Sequence, residues 1–146
     1  MTAEDRRAAY LPLPLLLQRG QRWFSDELVA RLDAADVAPT TPAHTTVLAH
    51  LSQDTALSIA ELARRSGVSR QTMHRAVTQL IDEGLLSSTP GPGFPRSTLI
   101  GLTAAGTRRR DLALGILRDL ERELGERLGA GTLEELRETL ARAWQR

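Results

Sequence analysis

Apolar side chains return at three- and four-residue spacing along most of this chain, the period that gathers them on one face of a helix. The first such stretch, Pro14 to about Ala35, carries Leu15, Leu16, Trp23, Leu28 and Leu32. Thr41 followed by Pro42 reads as an N-cap with proline at the first helical position, opening a helix to about Ser52 that bears Val47, Leu48 and Leu51. Ser58-Ile-Ala-Glu61 is a capping-box pattern: the serine hydroxyl can accept an early N–H, and Glu61 can reach back to the cap. Ile59, Leu62 and Ala63 make the inward face of the short helix that follows. Gly67 supplies the left-handed residue of a tight turn, Val68 is placed to fill the angle between crossed helices, and Ser69 caps the next helix. That helix, from about Arg70 to Glu83, turns Met73, Ala76, Val77, Leu80 and Ile81 inward.

Past Gly84 the pattern changes. Leu85 to Thr89 and Arg96 to Leu102 read as two strands around a Pro/Gly-rich tip, Pro90 to Pro95. Thr103 caps a long helix, Ala104 to Leu128, striped by Leu112, Ile116, Leu117, Leu120, Leu124 and Leu128. Gly129-Ala130-Gly131 turns the chain, and Thr132-Leu133-Glu134-Glu135, a second capping-box match, starts a terminal helix with Leu133, Leu136, Leu140 and Trp144. At the other end, Leu11 to Leu17 reads as an apolar docking arm leading into the first helix. The expected fold is mainly α: a winged helix-turn-helix lobe with a two-stranded β-wing over residues 42–103, flanked by dimerisation helices over 10–36 and 104–146, all in one domain, 1–146. Nothing else in the chain is large enough to cover the stripes of both final helices. A homodimer with interdigitated first and last helices covers them, against a monomer whose last helices fold back on its own first helix.

This order of elements predicts which residues meet double-stranded DNA. The outward, N-terminal surface of the helix after Ser69 is Ser69, Arg70, Gln71, His74 and Arg75. Arg and Gln can bond bidentately to guanine and adenine in the major groove, so Arg70 and Gln71 are assigned to bases and Arg75 to base or phosphate. Arg64 and Arg65 are weaker phosphate candidates, and Arg96 stands at the root of the wing.

Charge changes the picture once it is divided by segment. The whole chain is formally +1, yet residues 58 to 110 hold eight arginines against three acids, +5, while the rest holds eleven against fifteen, −4. A basic middle suits phosphates and acidic flanks are repelled by them. Arg108, Arg109 and Arg110 begin the helix after the wing and read as a solvated face or an intersubunit ion-pair set rather than a DNA clamp.

Composition removes other classes. Without cysteine there is no disulfide framework. The sequence shows no secretory leader and no apolar run long enough to span a bilayer, so a cytoplasmic protein without membrane contact is expected. It also has no Gly-rich phosphate loop and no serine in a nucleophile-elbow context, so catalytic residues, cofactors and enzymatic activity are not expected. His44 and His50 lie six apart, off the spacing that puts two ligands on one helical face, and no metal site is expected.

The stretches LSIAELARRSGVSRQTMHRAVTQLIDEGLL and RSTLIGLTAAG, preceded by Thr41 to Leu51, resemble the MarR (multiple antibiotic resistance regulator) family of bacterial repressors. The likeness covers most of the chain and is sharpest over about residues 41 to 107. It implies a MarR-like domain acting as a homodimeric, sequence-specific transcriptional repressor on a pseudo-palindromic operator. A small aromatic effector near Trp23, His44 and Val47, relieving repression by changing the spacing of the two lobes, is likewise implied by the resemblance. Members usually carry Asp-x-Arg at the wing tip, with the arginine in the minor groove; here Arg96 keeps the arginine position and Phe94 stands where the aspartate belongs. The alternatives from other classes are a winged-helix protein-interaction module and a non-specific architectural DNA binder.

Overall fold

A computed structural model of the chain describes residues 1–35, 37, 41–93 and 97–145. Among these residues lie the helices α1 (Ala3–Ala9), α2 (Leu13–Ala34), α3 (Pro42–His50), α4 (Ile59–Ser66), α5 (Arg70–Asp82), α6 (Ala104–Leu128) and α7 (Ala130–Ala143). The strands are β1 (Leu57–Ser58), β2 (Leu86–Pro90) and β3 (Thr98–Leu102). They form two compact units, Val29–Leu114 and Met1–Leu28 with Gly115–Arg146, whose boundaries fall inside α2 and α6.

The unit Val29–Leu114 is the winged helix-turn-helix. Its helices start where hydroxyl caps stand: Thr41 Oγ1 accepts from His44 N at 3.2 Å, Ser58 Oγ from Glu61 N at 3.2 Å, and Ser69 Oγ from Thr72 N at 3.1 Å. Each cap satisfies an amide that the helix itself cannot, worth ~1 kcal/mol. α4 stops on Gly67, whose φ of 67° is left-handed and closed to most side chains. Val68 N then bonds back to Ala63 O, so the chain reverses in three residues and crosses into α5. Val68 itself is 40% exposed, so it does not plug the angle between the helices as expected. Met73, Ala76 and Leu62 are among the residues of these two helices that enter the buried core.

α3, α4 and α5 close over a core of Val47, Leu48, Leu51, Leu62, Met73, Val77 and Leu80, with Leu86 and Ile100 entering from the sheet. Ile81 is only partly buried at its edge. The sheet has three strands, in the order β1-β3-β2, rather than two. The added strand pairs Leu57 with Ile100 and Ser58 with Leu99, antiparallel to β3.

A compact joint ties the sheet to the helices. At the end of α5, Gly84 N donates to Ile81 O at 2.9 Å and Leu85 N to Leu80 O at 2.9 Å, the paired bonds of a Schellman ending. Thr103 then locks β3 to that turn while it starts α6. Its amide donates to Leu85 O at 3.1 Å, its hydroxyl donates to Gly84 O at 2.6 Å, and the same hydroxyl accepts from Gly106 N at 3.0 Å. Gly106 is buried against the Leu85 carbonyl, and a Cβ there would overlap that oxygen and come within 3.2 Å of Leu102 Cδ2.

In the other unit, Thr2 and Asp5 cap α1, a helix the apolar pattern did not announce because all of its residues are charged or alanine. α2 begins at Leu13, so most of the expected docking arm is already helix. α7 begins at Ala130, capped by Gly129 without a side-chain bond, so Thr132 lies inside the helix and the second capping box does not form. One glycine at φ 91° is enough to break the chain between α6 and α7, and Leu133 N already bonds Gly129 O at 3.1 Å. Arg137 joins the two helices through Glu121, at 2.8 Å. α7 has no buried residue despite its apolar stripe: Leu136 is 42% and Trp144 65% exposed.

A candidate nucleic-acid interface

The core determines which side of α5 is free. With Met73, Ala76, Val77 and Leu80 turned inward, Gln71, His74, Arg75 and Thr78 share the opposite face, and all four are exposed. Arg70 is exposed at the first turn. α5 has 13 residues, about 20 Å at 1.5 Å per residue, so in a groove roughly 12 Å wide its N-terminal half can reach base edges. Its acids, Asp82 and Glu83, are at the far end, where Glu83 accepts from Gln79 at 3.4 Å.

Ser69 caps α5, as its hydroxyl was placed to do. Its hydroxyl accepts from Thr72 N and donates to Thr72 Oγ1 at 2.9 Å, so it holds the helix start. Thr78 was missed by sequence reasoning, although it stands three and four residues beyond Arg75 and His74, on the face they define. Arg96 and Phe94 lie outside the described residues. The wing leading to them is closed by Gly91 N donating to Ser97 O at 2.5 Å.

Arg64 and Arg65 are exposed on α4, and both are held by one carboxylate. Arg64 Nε donates to Glu61 Oε2 at 3.0 Å and its Nη2 to Oε1 at 2.5 Å, a bidentate fork, while Arg65 Nε donates to Oε1 at 2.8 Å. Glu61 therefore does not reach back to the cap: only the serine half of the capping box forms. The hydrogen bonds from Arg64 and then Arg65 pull the Glu61 carboxyl down from its usual 4.5 to about 2. A carboxyl whose folded pKa is depressed stabilises the fold above its unfolded value, and that contribution disappears as pH falls through the folded one. The melting temperatures of the protein and Glu61→Gln should therefore differ above pH 4.5 and converge as pH drops toward about 2; a gap unchanged across that range would remove Glu61 from the acid response.

The other singled-out residues separate by burial. Arg108 is exposed, whereas Arg110 is largely covered, with Nε enclosed and without a hydrogen-bond partner and Nη1 3.7 Å from Asp111. That enclosure removes Arg110 from the solvated face expected for the arginine run. In the winged unit Val47 is fully buried in the core and His44 is 2% exposed, with Nδ1 lacking a hydrogen-bond partner. In the other unit Trp23 meets Phe24 edge-on at 4.8 Å and carries the Arg127 guanidinium 5.0 Å above its ring. Among the described residues no cluster of His, Cys, Asp or Glu could hold a metal, and no helix is long and apolar enough to cross a membrane.

Comparison with known proteins bears on this geometry. The MarR family pattern matches residues 39–93, the stretch from just before α3 to just past β2. Comparison with curated proteins found no match. The chain is similar to the Mycobacterium tuberculosis MarR family protein Rv2887 solved in complex with DNA, at 28% identity over 92% of this chain and 99% of that one, with a TM-score of 0.72. It is similar to the same protein in complex with salicylic acid, at 29% identity over 93% and 98%, TM-score 0.71. The apo form of MarR from E. coli shares the fold, with TM-score 0.78 at 23% identity over 92% and 98%. The capped helix pair, the three-stranded wing and the Thr103–Gly106 joint thus sit inside the matched stretch and its immediate continuation, and the likeness to MarR family proteins of known structure extends over nearly the full length of the chain.

Proposed function

We propose that the protein is a homodimeric, sequence-specific repressor that places one α5 helix in each of two successive major grooves of a pseudo-palindromic operator. The observation that carries this reading is the division of α5 into a buried face and an exposed one: Gln71, His74, Arg75 and Thr78 project together from a helix clamped by its opposite side. DNA binding is the coarser part of the reading and is supported by the likeness to Rv2887, which was solved in complex with DNA. Two-fold symmetry would space the half-sites by ~34–36 Å, about one helical turn. Bound there, the dimer would exclude RNA polymerase from the promoter.

The dimer is supported by apolar surface left uncovered in the single chain. α7 buries no residue, and Leu13, Leu15 and Leu17 of α2 are exposed together with Leu136 and Trp144. Exposed large apolar side chains on helices of this length mark an interface. Light scattering should return twice the chain mass of 16.0 kDa, and Leu136→Asp combined with Trp144→Asp should return the single mass. A monomer before mutation would remove the dimer.

A small aromatic acid is the effector class this reading favours, since the similar Rv2887 was solved with salicylic acid. Such a ligand relieves repression only if it binds the DNA-free arrangement more tightly than the bound one. The test of the whole reading is fluorescence anisotropy on DNA from immediately upstream of the gene, against a shuffled duplex, at two salt concentrations. Tight, salt-sensitive, sequence-selective binding is expected. Salt-sensitive binding equal on both duplexes would make the protein an architectural DNA binder, and no binding at either salt would favour a protein partner.

A further inference from the structure

We propose that Glu61 is an internal competitor for DNA phosphate, occupying Arg64 and Arg65 in the free protein and releasing them when DNA docks. The inference rests on the DNA-binding reading above and adds to it a residue that sets the affinity. A guanidinium meets carboxylate and phosphate alike through two parallel N–H donors. Glu61 takes that pair from Arg64, Nε and Nη2 on two different oxygens, and also takes Nε from Arg65. In helix-turn-helix docking the first helix crosses the sugar-phosphate backbone, so these guanidiniums are the groups of α4 suited to a phosphate. Arg64 cannot form the same fork to a phosphate while Glu61 holds it.

The charge follows the geometry. Two arginines and one glutamate leave this cluster with a net +1, against +2 without the carboxylate. Phosphate contacts act alike on every DNA sequence, so the competitor lowers affinity for cognate and random DNA together and leaves their ratio alone. The carboxylate stays charged throughout the neutral range, since its pKa is held near 2. The competition is therefore set by salt and DNA rather than by pH.

The test measures binding of the full chain to a random-sequence duplex across a salt series, for the protein, Glu61→Gln, Arg64→Ala/Arg65→Ala, and the triple variant. Glutamine keeps the size of the side chain at this half-buried position, and circular dichroism checks that each variant is folded. Glu61→Gln is expected to raise the association constant roughly 3- to 10-fold at ~0.1 M salt and to steepen the log–log salt slope by up to about 0.9 per protomer. In the Arg64→Ala/Arg65→Ala background the same glutamine should change neither. Wild-type affinity in Glu61→Gln overturns the proposal, and so does a gain that persists without the two arginines, which would be simple loss of a repelling charge. If the unmutated protein shows no salt-dependent binding, the DNA-binding reading falls and takes this inference with it; if it binds and Glu61→Gln matches it, only the competitor falls.

Discussion

Gly106→Ala is expected to destabilise the winged unit by about 3 kcal/mol, at the upper end of what overpacking usually costs, because the obstacle is backbone rather than a movable side chain. The new methyl would overlap the Leu85 carbonyl oxygen, with the Leu85 carbonyl carbon 3.0 Å and Leu102 Cδ2 3.2 Å away. Relieving the overlap means separating the start of α6 from the turn after α5. That movement strains the bonds Thr103 makes to Leu85 O, Gly84 O and Gly106 N. For a chain of this size the loss corresponds to a fall in melting temperature of about 10 °C. Gly20→Ala is the control, since a Cβ there meets nothing within 4 Å and alanine favours a helix interior by roughly 0.5–1 kcal/mol. Equal melting temperatures for Gly106→Ala and the unmutated protein would mean that α6 does not seat against this carbonyl.

The second large effect concerns sequence reading. Gln71→Ala is expected to lose discrimination at one base pair of each half-site, worth ~1–3 kcal/mol for a bidentate amide–adenine pair, or roughly 5- to 150-fold in relative affinity. Affinity for random DNA should hardly change, because glutamine carries no charge to displace counterions. Arg75→Ala gives the contrasting pattern if Arg75 lies on phosphate: weaker binding on every duplex and a shallower salt slope. Competition binding against operator duplexes substituted one base pair at a time separates the two. If Gln71→Ala weakens cognate and random DNA by the same factor, the side chain is not reading a base. Thr78, on the same face two turns beyond Gln71, is the next position to examine for contact with a thymine methyl or a phosphate.

These experiments bear on residues whose local structure was already legible, because caps and turns are short-range chemistry. Ser58 and Ser69 cap their helices since a hydroxyl at that point accepts an amide within three residues, whatever lies elsewhere in the chain. The same holds for Gly67, and for the period of Met73, Ala76, Val77 and Leu80, which settles the outward face of α5 by elimination. The likeness to the MarR family was legible too, since the helix, turn, helix and wing stand in fixed order with Thr103 and Gly106 after them.

Where a residue had more than one partner to choose between, the pattern alone did not decide. Ser58-Ile-Ala-Glu61 reads as a full capping box, but the glutamate side chain goes forward to Arg64 and Arg65, whose two positive charges outweigh one neutral amide. Leu57 and Ser58 carry too little pattern to announce a strand, and they become one because β3 presents a free edge beside them. Thr103 reads as a helix cap, and its bond to Gly84 O, 19 residues back, depends on where β3 ends. The chain by itself determined α3, α4 and α5, their caps and the exposed face of α5, all settled by interactions within a few residues. Packing decided the third strand, the exposure of Val68 and the close seat of Gly106, because each depends on residues brought together from distant points or on space that only the folded core defines.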